Sequence, residues 1–252
     1  MVACSAGNHA QGVALSCNKL KVDCKIIMPI ITPNIKVNAV RNLGVEPILY
    51  GNNYDEAYIK ALEISKHESI VLVHPYDDID IIAGQGTIGK EITNIDTNIY
   101  AIFIPIGGGG LISGISVYIK TLFPHIKIIG VETIYSCAMK ISIDSDQLVT
   151  LENINTFADG TAVKKQWELT YKLCKQLVDD IILVSNDEVC NSMEDFYMDT
   201  RVIAEPSGVL SIAGCKKYIE LNNCAHKKFV TIISGANMDF KKLRFISNRS
   251  DD

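Results

Sequence analysis

The sequence predicts an α/β fold in which parallel strands alternate with helices. Three observations carry the prediction. Apolar runs rich in Ile and Val recur along the chain, helical patterns lie between them, and glycine-containing loops stand where a strand hands over to a helix. Alternation of this kind builds parallel sheets joined by right-handed crossovers.

The strands are expected at 22–28, 46–50, 69–73, 99–106, 127–132, 181–185 and 229–233, with a short remnant at 1–4. Several of these runs are continuous rather than alternating, which suits strands covered on both faces. Helical patterns open at Ala10, at Asn34 behind Pro33 and at Asp55, and span 79–92, 111–123, 168–177, 187–198 and 207–221. Pro33 and Pro206 sit where a first-turn proline belongs, and Asn186 and Asp187 offer caps for the helix they open.

The bulk numbers narrow the functional classes. The 252 residues are 48% hydrophobic and 21% charged, with a net charge of -5. That is globular composition, and neither nucleic acid nor an anionic membrane would be drawn to it. No apolar run reaches the ~18 residues of a membrane span, and no basic segment with an apolar stretch behind it marks a secretory leader. Eight cysteines, from Cys4 to Cys224, are scattered without zinc spacing. They read as buried, reduced thiols of a cytoplasmic protein.

Three loops hold the candidate chemistry. Four glycines and a leucine, Gly107, Gly108, Gly109, Gly110 and Leu111, follow an apolar strand and open a helix. Backbone without side chains can approach an anion closely, and a helix start offers N–H groups to it, so a phosphate cradle is one reading. A tight connection whose glycines merely avoid clashes is the other. No G-K-S/T follows and the spacing is not G-x-G-x-x-G, so neither a Walker loop nor a dinucleotide fingerprint is present. SAGNHAQG at 5–12 gathers Ser5, Ala6, Gly7, Asn8 and His9 at a second helix start, where N–H groups suit a carboxylate. An ordinary solvated cap is the plainer reading there, and His9 alone is more often structural than catalytic. Ser234, in SGAN at 234–237, can meet a heteroaromatic nitrogen or can belong to a simple turn. Glu205 before Pro206 can orient an amine or complement a helix dipole, and Gly160 can admit a flat ring or form a turn. All three loops fall at carboxyl ends of strands, where open α/β sheets bind ligands, so convergence on one site is expected.

Taken together the motifs are far more specific. SAGNHAQG, GGGGL, GVE at 130–132, ADGTAV at 158–163, AEPSG at 204–208 and SGANMDF at 234–240 occur in that order. The chain resembles the fold-type II pyridoxal-phosphate (PLP) enzymes, and within them the biosynthetic threonine dehydratases, over essentially its whole length. The resemblance implies two open α/β domains with mostly parallel sheets, a small one at 1–73 and a large cofactor-binding one at 74–252. It implies that Asn8 bonds the cofactor's 3′-oxygen, that 107–111 bind its phosphate, that Ser234 meets the pyridine nitrogen, and that Gly160 and Glu205 line the cofactor. The loop from Ser5 to His9 would hold the carboxylate of an amino-acid substrate. The implied reaction is β-elimination of L-threonine to 2-oxobutanoate and ammonia, the first step of isoleucine biosynthesis. Ala6 stands where racemases of the family carry a serine, which favours dehydration. The run after Glu132, TIYSCAM, has no second carboxylate, so no metal is expected there.

The family's Schiff-base lysine lies in an S-F-K-x-R-G-A motif that this sequence does not contain. Lysines such as Lys19 and Lys36 have no reason to replace it. The catalytic lysine is therefore expected to be missing, as is a C-terminal regulatory domain. Two readings of different class follow: a dehydratase completed by a separate N-terminal fragment, and a non-catalytic remnant that at most binds PLP. A catabolic serine/threonine dehydratase is a third. The family is usually homo-oligomeric. An incomplete large domain exposes a sheet edge, so poor solubility and a melt of low cooperativity are expected of the chain alone.

Overall fold

The structure is a computed structural model and describes residues 1–250. Contacts divide the chain into two compact units, Met1–Pro75 and Tyr76–Asp252.

The first unit runs β1 (Val2–Cys4), α1 (Asn8–Leu20), β2 (Lys25–Met28), α2 (Asn34–Arg41), β3 (Ile48–Leu49) and α3 (Tyr54–Glu68). Its sheet is parallel, in the order β1-β2-β3, with Val2 opposite Lys25 and Ile27 opposite Ile48. Successive residues of a strand face opposite sides, and both sides here are filled. Ala3, Ile26 and Met28 pack on Ala10, Val13 and Cys17 of α1 and Val37 and Val40 of α2. Val2, Cys4 and Ile27 pack on Ala57 and Ala61 of α3. The strand expected at 69–73 reduces to one bridge, Val2 to Leu72. Ile70 and Leu72 pack toward the α3 side and Val73 toward the α1 and α2 side, but the chain leaves α3 through Ser69 at φ 51 and carries Val71 65% exposed, so the stretch is covered only in part.

The second unit comprises α4 (Ile79–Ile95), β4 (Ala101–Pro105), α5 (Gly110–Leu122), β5 (Lys127–Thr133), α6 (Ala138–Asp144), α7 (Glu168–Leu177), β6 (Asp180–Val184), α8 (Asn186–Thr200), α9 (Leu210–Asn222), β7 (Phe229–Thr231) and α10 (Leu243–Ser250). Its sheet is parallel in the order β6-β5-β4-β7. β4 is buried throughout. Phe103 faces a cluster with Val189 of α8 and Leu210 and Tyr218 of α9, while Ile102 and Ile104 face Ile112 and Ile115 of α5 and Tyr171 of α7. Each fully buried side chain of this size contributes roughly 1.5–3 kcal/mol, which is why the continuous apolar run becomes the central strand. Its neighbour β7 comes last in the sequence and β5 comes next after it, so the chain reverses direction across the sheet at β4, the place where such sheets bind ligands.

Three local expectations are corrected. α1 begins at Asn8, not Ala10, which puts Asn8 and His9 inside its first turn. α8 is capped by Ser185, whose hydroxyl accepts the Glu188 N–H while the Glu188 carboxylate accepts the Ser185 N–H. Asn186 and Asp187 are therefore first-turn residues and not caps. Pro206 opens a 3-10 turn, Pro206–Val209, and α9 starts only at Leu210. The eight cysteines are free, and burial pushes the thiols of Cys4 and Cys174 up to about 12. Among the described residues no helix is long and apolar enough to cross a membrane.

Candidate functional site

The loop after β4 is tightly packed along its glycine Cα atoms. A methyl group on Gly107 would lie 3.1 Å from Thr161 Cα, and one on Gly110 would lie 2.9 Å from Tyr76 Cα. On Gly108 it would overlap the Tyr76 ring, and on Gly109 it would come 2.9 Å from Met139 Cε and 3.0 Å from Thr170 Cβ. Gly109 also holds φ +87, a conformation side chains avoid, and it caps α5. The glycines are thus required by packing. The same packing leaves a row of N–H groups open, because no backbone carbonyl among the described residues accepts from Gly108 through Leu111. α5 has no side-chain cap and no first-turn acid. Its N-terminus is therefore electropositive and unsatisfied, the condition under which helix starts bind anions.

The walls come from distant sequence. The backbone N–H of Thr170 donates to Asp77 Oδ1 at 2.8 Å, so the segment that supplies Tyr76 also pins the start of α7. Gln166, just before α7, donates from Nε2 to the Gly107 carbonyl at 2.9 Å. Met139 belongs to α6, which is held by Glu132 at 1% exposure: its two carboxylate oxygens accept the N–H groups of Met139 at 3.1 Å and Lys140 at 2.8 Å. Burial pushes the Glu132 carboxyl up to about 8, against these two bonds, which pull it down. Among the described residues no group of three or more metal-ligating side chains occurs.

Other expected residues join this loop within the second unit. Gly160 lies in a 3-10 turn, Asp159–Thr161, where an added methyl would sit 3.1 Å from Ser207 and 3.5 Å from Glu205 Oε1. Glu205 is 5% exposed and precedes the turn that holds Ser207 and Gly208. The Ser234 N–H donates to the Gly208 carbonyl at 3.3 Å, and the Ser234 hydroxyl donates to the Ser207 carbonyl at 3.4 Å. The Glu205 N–H donates to Gly235 at 3.1 Å. β7 ends at Thr231 rather than at 233, so Ser234 lies three residues past the strand instead of directly after it. The structure therefore links Gly107–Leu111, Gly160, Glu205 and Ser234 by a continuous set of contacts, some through backbone and some through the side chains of Ser207, Glu205 and Ser234. Sequence reasoning assigned no role to Tyr76, Thr161, Gln166, Thr170 and Ser207; Thr161 and Ser207 lie inside the quoted motifs, while Tyr76, Gln166 and Thr170 sit in no pattern that could have marked them.

The loop of Ser5, Ala6, Gly7, Asn8 and His9 belongs to the first unit, between β1 and α1. Ser5 Oγ accepts the Gly7 N–H at 3.1 Å and so shapes the turn. Gly7 caps α1, which again has neither a side-chain cap nor a first-turn acid. His9 Nε2 meets the Val73 carbonyl at 3.1 Å, and a carbonyl only accepts, so Nε2 carries the hydrogen. Burial pulls the His9 pKa below its ordinary value, which leaves a neutral ring anchored to backbone.

This fold, with glycine loops at strand ends, defines a pyridoxal-phosphate-dependent enzyme. The chain belongs to that family, whose sequence model, "Pyridoxal-phosphate dependent enzyme", matches residues 1–235. It is 45% identical over 251 residues to the biosynthetic L-threonine dehydratase of Haemophilus influenzae, covering 100% of this chain and 49% of that protein. It is 46% identical over 257 residues to the mitochondrial threonine dehydratase of Saccharomyces cerevisiae, covering 99% and 45%. The processed form of threonine deaminase isoform 2 from Solanum lycopersicum superposes with a TM-score of 0.97 at 44% identity, over 99% of this chain and 73% of that one. The chain spans about half the length of the curated relatives it matches.

The residues present fit the cofactor. A walled glycine loop with open N–H groups, at the start of an uncapped helix, suits a phosphate. A serine held by backbone carbonyls nearby suits a ring nitrogen.

Proposed function

We propose that the chain carries the cofactor-binding and substrate-binding parts of an L-threonine dehydratase, forming 2-oxobutanoate and ammonia. The observation that carries the reading is the open row of N–H groups from Gly108 to Leu111, supported by 45% identity to a protein of that name. When bound, pyridoxal phosphate supplies the electron sink that lets an amino acid lose its α-proton and then its β-hydroxyl. The chain's residues do the rest. Residues Gly107, Gly108, Gly109, Gly110 and Leu111 bind the phosphate, with Gly160 and Glu205 lining the cofactor. Ser234 turns its hydroxyl from the Ser207 carbonyl to donate to the ring nitrogen and, being neutral, leaves that nitrogen unprotonated. Asn8 bonds the 3′-oxygen. The N-terminus of α1, with Ser5, Ala6, Gly7 and His9, takes the substrate carboxylate. Ala6 holds no proton, so it cannot protonate the second face of a substrate carbanion as a racemase would.

In this reading the first unit is the small domain and the second the large one. The free thiols support a reducing, cytoplasmic setting. The proposal includes a homo-oligomer, to be read by light scattering, and completion by a lysine-bearing segment supplied separately. The test incubates the purified chain with pyridoxal phosphate and L-threonine, with and without a peptide carrying that segment, and measures 2-oxobutanoate. Product only with the peptide is the expected result. No product in either arm overturns the dehydratase reading in favour of a remnant, and a higher rate on L-serine than on L-threonine overturns the substrate.

A further inference from the structure

We propose that Gln166 is a positioning residue for phosphate recognition: its amide holds the Gly107–Gly108 peptide so that the Gly108 N–H faces the anion. The proposal rests on the cofactor reading above.

Gln166 is 1% exposed, and its Nε2 donates to the Gly107 carbonyl at 2.9 Å. The carbonyl can only accept, so the amide must present its nitrogen. There is no cis peptide among the described residues, and in a trans peptide the carbonyl and the following N–H point in opposite directions. Drawing the Gly107 oxygen toward Gln166 therefore turns the Gly108 N–H away from it, onto the open side of the loop. A peptide between two glycines has no Cβ to fix its orientation, so rotation is otherwise easy. A rotated peptide would set a carbonyl oxygen against the phosphate. Thr161, Tyr76, Met139 and Thr170 limit the loop's volume, but among the described residues only Gln166 hydrogen-bonds the Gly107 carbonyl.

A second observation points to a ligand. The other end of the same amide, Gln166 Oε1, is buried with no hydrogen-bond partner. Buried acceptors are ordinarily satisfied. An orphan acceptor beside an anion loop calls for a donor, and a singly protonated phosphate monoester carries one.

The test is a calorimetric titration of the chain with pyridoxine 5′-phosphate and with pyridoxine. Neither probe has an aldehyde, so no lysine can capture it. Wild type binds the phosphorylated probe more tightly. In Gln166→Met, which keeps length but cannot donate, that preference falls by about tenfold or more, the scale of one charge-assisted bond, while pyridoxine affinity holds. A preference equal to wild type overturns the proposal. Equal loss for both probes overturns it too, since that is what a merely structural role would give. If wild type itself shows no preference, the cofactor reading fails and takes the proposal with it. Should Gln166→Met not fold, the wild-type chain labelled with 15N-glycine decides. The Gly108 amide proton moves strongly downfield on adding pyridoxine 5′-phosphate; a Gly108 resonance that stays in place while other glycines of the loop move overturns the assignment.

Discussion

Glu132 is the acid near the end of β5, and its surroundings give it a structural role. Both oxygens are occupied by the N–H groups of Met139 and Lys140, so the carboxylate is the anchor of α6, whose Met139 bears on Gly109. Burial raises its pKa from 4.5 to about 8. The folded state therefore binds a proton that the unfolded state has released between these values, so stability falls as pH rises through that window. The slope is at most about 1.4 kcal/mol per pH unit for one proton. Glu132→Gln removes the titration and one acceptor. Urea midpoints at pH 5.5 and 8.5 should show wild type more stable than the variant at the lower pH, with the gap narrowing or reversing at the higher one. A gap that is the same at both pH values contradicts the assignment. The position was legible as an acid closing a strand. Its partners were not, because a bond to backbone N–H groups seven and eight residues on leaves no trace in residue type. Gln166 was illegible for the same reason at longer range, its partner lying 59 residues away.

Helix packing shows which glycines are structural. α4 and α5 approach through Gly86, Gly89 and Gly114: a methyl on Gly114 would overlap the Ile82 carbonyl, and one on Gly86 would lie 3.2 Å from the Gly114 carbonyl. Backbone meets backbone, so no side chain can move aside. Gly84, two residues before Gly86 and on the exposed side of α4, has nothing within 4 Å. Gly114→Ala should lower stability by about 1–3 kcal/mol, as overpacking against a rigid neighbour does. Gly84→Ala should raise it by about 0.5–1 kcal/mol through helix propensity alone. Thermal melts of the two variants against wild type test both signs, and a destabilised Gly84→Ala would show that α4 has a further neighbour. The elements themselves were legible where burial is two-sided. The Ile-rich run at 99–106 became β4, and the pattern at 168–177 became α7 with those bounds. α6 and α10 were missed: α6 is a seven-residue helix held by a side chain from β5, and α10 follows a loop whose polar pattern hides it. At 69–73 the composition of a strand was present, but with Val71 exposed only the bridge at Leu72 formed.

The whole chain has two independent sets of cores, and they differ in size. The first unit packs a sheet whose strands hold three, four and two residues, with β3 exposed at both positions. The second places β4 and β5, with five and seven residues, between helices on both faces. Small units bury a smaller share of their surface and have less apolar area to offset chain entropy. Local opening should therefore be easier in the first unit, while central strands of the second open only with global unfolding. Hydrogen exchange followed by mass spectrometry measures this directly. Peptides covering Ala3 and Ile26–Met28 should exchange at a lower free energy than peptides covering Ile102–Ile104 and Ile128–Val131, and the melt should be broad for a chain of 252 residues. Pyridoxine 5′-phosphate should raise protection at Gly107–Leu111 and along α5, since a ligand of the folded state stabilises the segment it contacts. Uniform protection across both units, with one sharp calorimetric transition, would mean that the two cores fold as one and that the expectation of low cooperativity drawn from the sequence is wrong.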